Sequence, residues 1–240
     1  MSNLELKYNY DRLKNNAYPG RGIITGMSPD SRKLVQVYWI MGRSENSRNR
    51  IFETDNGFIR TKAYDESKMT DPSLIIYYPM KHYNGRHIVT NGDQTDTIFE
   101  ALKMGGSFED ALNTRCYEPD GPNFTPRISG ILGSKKDQYR YKLSIIKAFN
   151  NTEASCLRQY FNYEKGIPGV GHCIHTYASD GNPLPSFKGD PYEMEVSDDI
   201  DETVNYYWSA LNEDNRISIL AKYVNMDDGS FDARIINRFK

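Results

Sequence analysis

Apolar and polar positions alternate with a period of two in many short runs of this chain, the repeat of strands that bury one face. In the first half these runs are Arg21–Ser28, Lys33–Arg43, Arg50–Thr54, Phe58–Ala63, Leu74–Tyr78 and His87–Thr90. Gly, Asp and Asn punctuate them, and Met27-Ser28-Pro29-Asp30 and Thr54-Asp55-Asn56-Gly57 are the clearest turns. The period then changes. Asp96–Met104 and Ser107–Thr114 carry helical signals: polar cap residues before them, Gly105-Gly106 between them, and Asp110 three positions after Ser107. Before all of this, Leu6, Tyr10 and Leu13 form a stripe at helical spacing in a polar extension, residues 1–17.

Beyond an irregular stretch, Tyr117–Thr125, the period of two returns in Arg127–Leu132, Tyr139–Phe149, Leu157–Tyr163 and Val170–Ala178. Asp198–Leu211 places Ile200, Val204, Tyr207 and Leu211 on one helical face. Arg216–Val224 and Phe231–Phe239 close the chain as a hairpin around Asp227-Asp228-Gly229. The order is strands, two helices, strands, helix, strands. That is an α+β class, not the strict alternation of a doubly wound sheet. Two stacked antiparallel sheets with outer helices, in one domain over residues 18–240, would bury this many half-polar strands.

Composition modifies this picture in one respect. Ile, Leu, Val and Phe supply only about a fifth of the 240 residues, a level close to that of chains that fail to fold. The net charge is only -2, so disorder is excluded, and the 18 tyrosines must fill part of the core. No apolar run approaches a membrane span, and the polar start lacks a signal-peptide core, so the expected compartment is the cytoplasm. Three scattered cysteines make no disulfide framework.

Nucleotide loops of the GxGxxG and Walker types are missing, as is a Gly-x-Ser-x-Gly elbow. His172-Cys173-Ile174-His175 is the one His/Cys cluster. On a strand its two histidines point to opposite faces, so no metal site is expected. Four loop segments stand out instead: Tyr18–Arg21, Arg43–Arg50, Asn91–Asp96 and Asn123–Arg127. Arg21, Arg43, Arg48, Arg50 and Arg127 offer bidentate forks suited to a phosphate. A helix N-terminus near residues 93–97 adds N–H donors for an anion. Ordinary surface arginines and caps are the competing account.

In this order, the segments resemble the archaeal-type inosine monophosphate (IMP) cyclohydrolase family. The matching stretches are Tyr-Pro-Gly-Arg-Gly at 18–22, Arg-Ser-x-x-x-Arg at 43–48, Thr-Asn-Gly-Asp-Gln-Thr-Asp at 90–96, Tyr-Glu-Pro-Asp at 117–120, Thr-Pro-Arg-Ile at 125–128 and Leu-Pro-Ser-Phe-Lys-Gly-Asp-Pro at 184–191. The resemblance implies a four-layer α/β/β/α sandwich similar to that of the N-terminal-nucleophile hydrolases, without self-processing. It also implies ring closure of the formamido imidazole carboxamide ribonucleotide (FAICAR) to IMP with loss of water. No metal or redox cofactor is needed for that reaction. The implied partner is a purine nucleotide monophosphate, with neither nucleic acid nor membrane, and self-association stays open.

Roles follow from the same resemblance. Arg21, Arg43 and Arg48, with Ser44, hold the phosphate or polarise the oxyanion. Tyr77 lies against the reacting base, or is one more strand tyrosine. Lys81 occupies a position that is usually basic. Asn91, Asp93, Thr95 and Asp96 form a ligand loop or cap the helix, and Asn123, Thr125 and Arg127 contact substrate. Asp120 or Glu118 supplies the acid. Two departures bear on catalysis: Tyr77-Tyr78 replaces a more usual Tyr-Asn, and Gly121-Pro122 with Phe124 alters the loop before Thr125. The alternatives are a purine-nucleotide-binding relative without turnover, and a single-stranded RNA binder with tyrosines exposed along one sheet face.

Overall fold

The computed structural model describes residues 3–153 and 155–239. Among them, thirteen strands form two antiparallel sheets. The first sheet runs in the order β11 (Tyr192–Glu195), β10 (Val170–His175), β1 (Gly22–Met27), β2 (Lys33–Met41), β12 (Arg216–Asn225), β13 (Phe231–Asn237). The second follows chain order: β3 (Arg50–Asp55), β4 (Phe58–Ala63), β5 (Met80–Tyr83), β6 (Arg86–Thr90), β7 (Arg127–Leu132), β8 (Tyr141–Ala148) and β9 (Cys156–Tyr163).

The sheets stack face to face. A Cβ on Gly130 of β7 would lie 3.0–3.3 Å from Val89, Thr25 and Ile23 side chains, so this glycine lets β1 approach the opposite sheet closely. Strand alternation then assigns neighbours to different layers. Val89, Ile128 and Met80 join Ile23 and Tyr38 in the inter-sheet core. Ile88, Ile131 and Ile146 face outward onto α3 (Gln94–Lys103) and α4 (Phe108–Asn113). The other sheet is covered by α1 (Asn3–Lys14) against β11 and α5 (Ile200–Ala210) against β12 and β13. Four layers result, as the strand-and-helix order predicts.

The stripe on the N-terminal segment is genuine. Leu13 is buried in the core and Tyr10 stacks on Tyr206 at 4.2 Å, so α1 is docked. Four details differ from the sequence reading. Leu74–Tyr78 is not a strand. Thr61 N–H donates to Tyr77 O and Thr90 N–H to Pro79 O, both at 2.9 Å, so Tyr77–Pro79 threads between β4 and β6 without a ladder. Proline has no N–H to give, and regular pairing resumes only at Met80. Three four-residue elements, β5, β11 and α2 (Glu45–Arg48), are too short to show a period. No helix among the described residues is long and apolar enough to cross a membrane.

Candidate functional site

At one end of the sandwich, loops from both sheets meet over the inter-sheet layer. Arg21 sits just before β1 and shares the inward face of Ile23. Gly20 bends the chain there with φ +75°, and a Cβ at that position would strike Thr176 Oγ1 and the Tyr177 ring. Arg21 N–H donates to Thr176 Oγ1 at 3.1 Å. Its Nη2 donates to Glu118 Oε2 at 2.8 Å, with side-chain exposures of 12% and 3%. Glu118 belongs to the loop between α4 and β7, held by its own N–H on Thr125 O at 2.9 Å.

Around this ion pair the polar groups are tightly interlocked. Asn91, at the end of β6, donates from Nδ2 to Pro126 O at 2.9 Å and reaches Glu118 Oε1 at 3.4 Å. Its Oδ1 accepts from Gln94 Nε2 and from Ile128 N–H. Thr125 N–H donates to Asp120 Oδ1 at 2.6 Å, and its hydroxyl joins Asp120 to the Tyr177 hydroxyl. Deeper in, Tyr38 and Tyr77 share a hydroxyl–hydroxyl bond of 2.7 Å. Two guanidinium nitrogens, Arg21 Nε and Arg50 Nη1, are buried with no partner among the described residues.

Burial dominates the electrostatics. It pushes the Glu118 carboxyl above its ordinary value against the opposing charges of Arg21 and Arg127. Burial works against the Arg21 charge too, but Glu118 and the surrounding phenols outweigh it and the net shift is upward. Burial also raises both Tyr38 and Tyr77, so at neutral pH each phenol keeps its proton. The pair therefore offers a fixed cation, a carboxyl tuned upward and two protonated hydroxyls within one buried cluster.

The structure divides the sequence candidates into three groups. Arg21, Tyr77, Asn91, Asp120 and Thr125 come together in the cluster. Arg43 and Asn123 lie at its rim. Arg43 donates to Asp180 Oδ1 at 2.5 Å and packs its guanidinium 5.0 Å from the Tyr18 ring, which stacks on Tyr177. Asn123 Oδ1 accepts from Leu184 N–H, so both tether residues 180–184. The remaining candidates are engaged elsewhere. Arg48 donates to Asp214 O and Asn215 Oδ1, and Ser44 caps α2. Thr95 bonds Thr90 inside the turn that opens α3. Lys81 follows Met80 on β5; because Met80 points into the inter-sheet core, Lys81 points to the helix layer and pairs with Asp96 at 2.7 Å. Arg127, outward on β7, binds Asp93, Gln94 and Cys116 O, which makes it a clamp beneath α3.

Of the two acids, Glu118 reaches Arg21 while Asp120 is committed to Thr125, so the acid facing the cation is Glu118. Arg50, one of the five candidate phosphate forks, lies beside Tyr38 and Tyr77 in the cluster, and Tyr38 and Tyr177, which the sequence reading does not single out, complete it. Tyr38 carries a usable signal: with Gln36 it is a polar position on one face of a strand that is otherwise apolar and buried after Lys33. Tyr177 had none, since its role depends on a loop crossing. The RNA alternative requires tyrosines exposed along a strand. Among the described residues the strongly exposed ones are Tyr8 and Tyr64, neither on a strand, whereas Tyr38, Tyr141 and Tyr223 are buried.

Comparison with known proteins bears directly on this cluster. A family model described as IMP cyclohydrolase-like protein matches residues 18–229. The chain belongs to the IMP cyclohydrolase-like family. The matched range holds every member of the cluster and leaves out α1. Individual relatives of this family align over a shorter part. The chain is 32% identical over 120 residues to the IMP cyclohydrolase of Methanococcus maripaludis strain C7, covering 48% of this chain and 58% of that relative. To the IMP cyclohydrolase of Methanococcus aeolicus it is 29% identical over 119 residues, again 58% of the relative. To that of Methanosphaera stadtmanae it is 31% identical over 127 residues, covering 61% of the relative.

Proposed function

We propose that this chain is an IMP cyclohydrolase, which closes FAICAR to IMP with loss of water in the cytoplasm. The observation that carries the reading is the buried Arg21–Glu118 pair, set against Asn91 and the Tyr38–Tyr77 pair, in a member of this family. The carboxamide nitrogen of FAICAR is a poor nucleophile, and holding it against the formyl carbon contributes up to about 7–11 kcal/mol in favourable intramolecular cases. As the C–N bond forms, negative charge develops on the formyl oxygen. Arg21 donates to it, a placement that costs nothing at the moment of reaction because Glu118 already orients the guanidinium. Glu118 takes the proton released by the nitrogen. Glu118 returns that proton to the oxyanion, giving a hydroxyl. Tyr77, protonated and backed by Tyr38, supplies the second proton, with which the hydroxyl leaves as water, and regains one from the formamide nitrogen as the C=N bond forms. Asn91 positions the carboxamide, and Arg43 at the rim takes the phosphate. Every step uses side chains alone.

The test is direct. Purified protein incubated with FAICAR should form IMP, followed by absorbance, well above the uncatalysed rate. Intact IMP binding without turnover would instead establish a nucleotide-binding relative. Tyr77→Phe should lower kcat more than it changes KM, and an unchanged kcat would remove Tyr77 from the reaction. Arg21→Ala should weaken nucleotide binding as well as turnover.

A further inference from the structure

One face of β9 runs antiparallel to the segment that leads from α4 into the site loop. Tyr160 OH donates to Asn113 Oδ1 at 2.8 Å, and Arg158 Nη2 donates to Arg115 O at 2.5 Å. Alternation puts Cys156 on that same face, next in line, where it meets Cys116 and the backbone of Tyr117. Cys156 also packs with Tyr160 against the α4 cluster of Phe108, Ala111 and Leu112. Both thiols are free, Cys116 exposed and Cys156 partly buried, while the third, Cys173, is fully buried on β10. Cys116 lies two residues before Glu118, and its carbonyl accepts from Arg127 Nε at 2.8 Å.

We propose that Cys116 and Cys156 form a dithiol–disulfide pair, which on oxidation ties the loop carrying Glu118 to β9. The oxidant class is a small disulfide such as oxidised glutathione. The Cys116 thiolate attacks one of its sulfurs, and the first glutathione leaves as a thiol. Cys156 loses its proton and attacks the Cys116 sulfur, and the second glutathione leaves. Two electrons and two protons pass from the protein to the reagent, and one S–S bond replaces two S–H bonds. Burial raises the Cys156 thiol, with the neighbouring Cys116 adding to the shift, so the closing step should quicken as pH rises.

The experiment equilibrates the full chain at graded ratios of oxidised to reduced glutathione, quenches by alkylation, and reads intact mass, peptide maps and Tm. The expected product has lost two hydrogens, carries one joined Cys116–Cys156 peptide pair, and melts roughly 5 °C higher. Cys116→Ser and Cys156→Ser should each abolish the joined peptides, and Cys173→Ser should keep them. A stable glutathione adduct on Cys116 without joined peptides, or a dimer linked through Cys116, would overturn the proposal. Formation of the bridge does not rest on the ring-closure reading, but its effect on turnover does. The bridged protein should turn FAICAR over several times more slowly, reversibly with dithiothreitol, and Cys156→Ser should be insensitive. An undiminished rate in fully bridged protein would overturn the clamp on Glu118. No turnover even when reduced would count against the ring-closure reading alone.

Discussion

Arg21 and Lys222 are both cations buried between the two sheets, and the protein accommodates them differently. Lys222 on β12 pairs in register with Gln36 and is 3% exposed. Its Nζ lies 3.8 Å from the centre of the Phe231 ring, in a group completed by His82 and His87, whose rings stack at 5.4 Å. No carboxylate among the described residues pairs with it. Burial alone lowers Lys222 to about 7 and, helped by the Lys222 charge, lowers His87 to about 2. Arg21 cannot shed its proton, so the fold gives it Glu118. A lysine or histidine in an apolar layer can become neutral, whereas an arginine demands a counter-charge. The charge kept fully ionised is the one at the loop-lined end, where the family resemblance converges.

The largest expected effect comes from removing the counter-charge. Glu118→Ala should destabilise the fold by about 3–5 kcal/mol, because it leaves the buried Arg21 without the carboxylate it is paired with. Urea unfolding measures it, and a wild-type midpoint would mean that Arg21 does not depend on Glu118. Lys222→Met should act in the opposite direction. The folded-state value of Lys222 is depressed from 10.5 to about 7, so the stability present above 10.5 is lost as pH falls through 7. The variant should therefore gain about 2–4 kcal/mol at pH 7, and the gain should shrink as pH climbs toward 10.5. A pH-independent difference would show that packing, not charge, sets it.

Histidine extends the contrast to acid. His172 is lowered by burial to about 4 and bonds the Tyr141 hydroxyl at 2.8 Å. Its stability contribution is complete above 6.5 and disappears as pH falls through 4. By pH 5 its share of the loss is up to about 2 kcal/mol, which thermal melts of His172→Gln against wild type should show as a flatter acid limb. The smallest effect belongs to Lys81→Met. Its ion pair with Asp96 is half-open to solvent, so less than about 1 kcal/mol should change, and FAICAR turnover should be unaffected. A collapse of turnover would place Lys81 back in the reaction.

Much of this molecule is legible in its sequence. The period-two runs located nearly every strand, the switch to helical spacing located α3, α4 and α5, and the ordered loop segments pointed to the family. The stripe of Leu6, Tyr10 and Leu13 even indicated how α1 docks. What failed was local and has a common cause. Leu74–Tyr78 looked like a strand because its residues are strand formers, but pairing partners and Pro79 decide whether a ladder forms.

The sequence by itself determined the layers, because alternation within one strand is a local property of the backbone. It also determined the residue types available to the site. Only the tertiary structure decided which of them meet. Lys81 and Tyr77 are four residues apart, yet one faces a helix and the other the inter-sheet cluster, since the irregular Tyr77–Pro79 stretch before β5 breaks the alternation that would put both on one face. Glu118 rather than Asp120 reaches Arg21, 97 positions away in sequence, because the hydrogen bonds from Thr125 claim Asp120. Such choices are made between segments that share no local pattern, so packing and competing partners settle them.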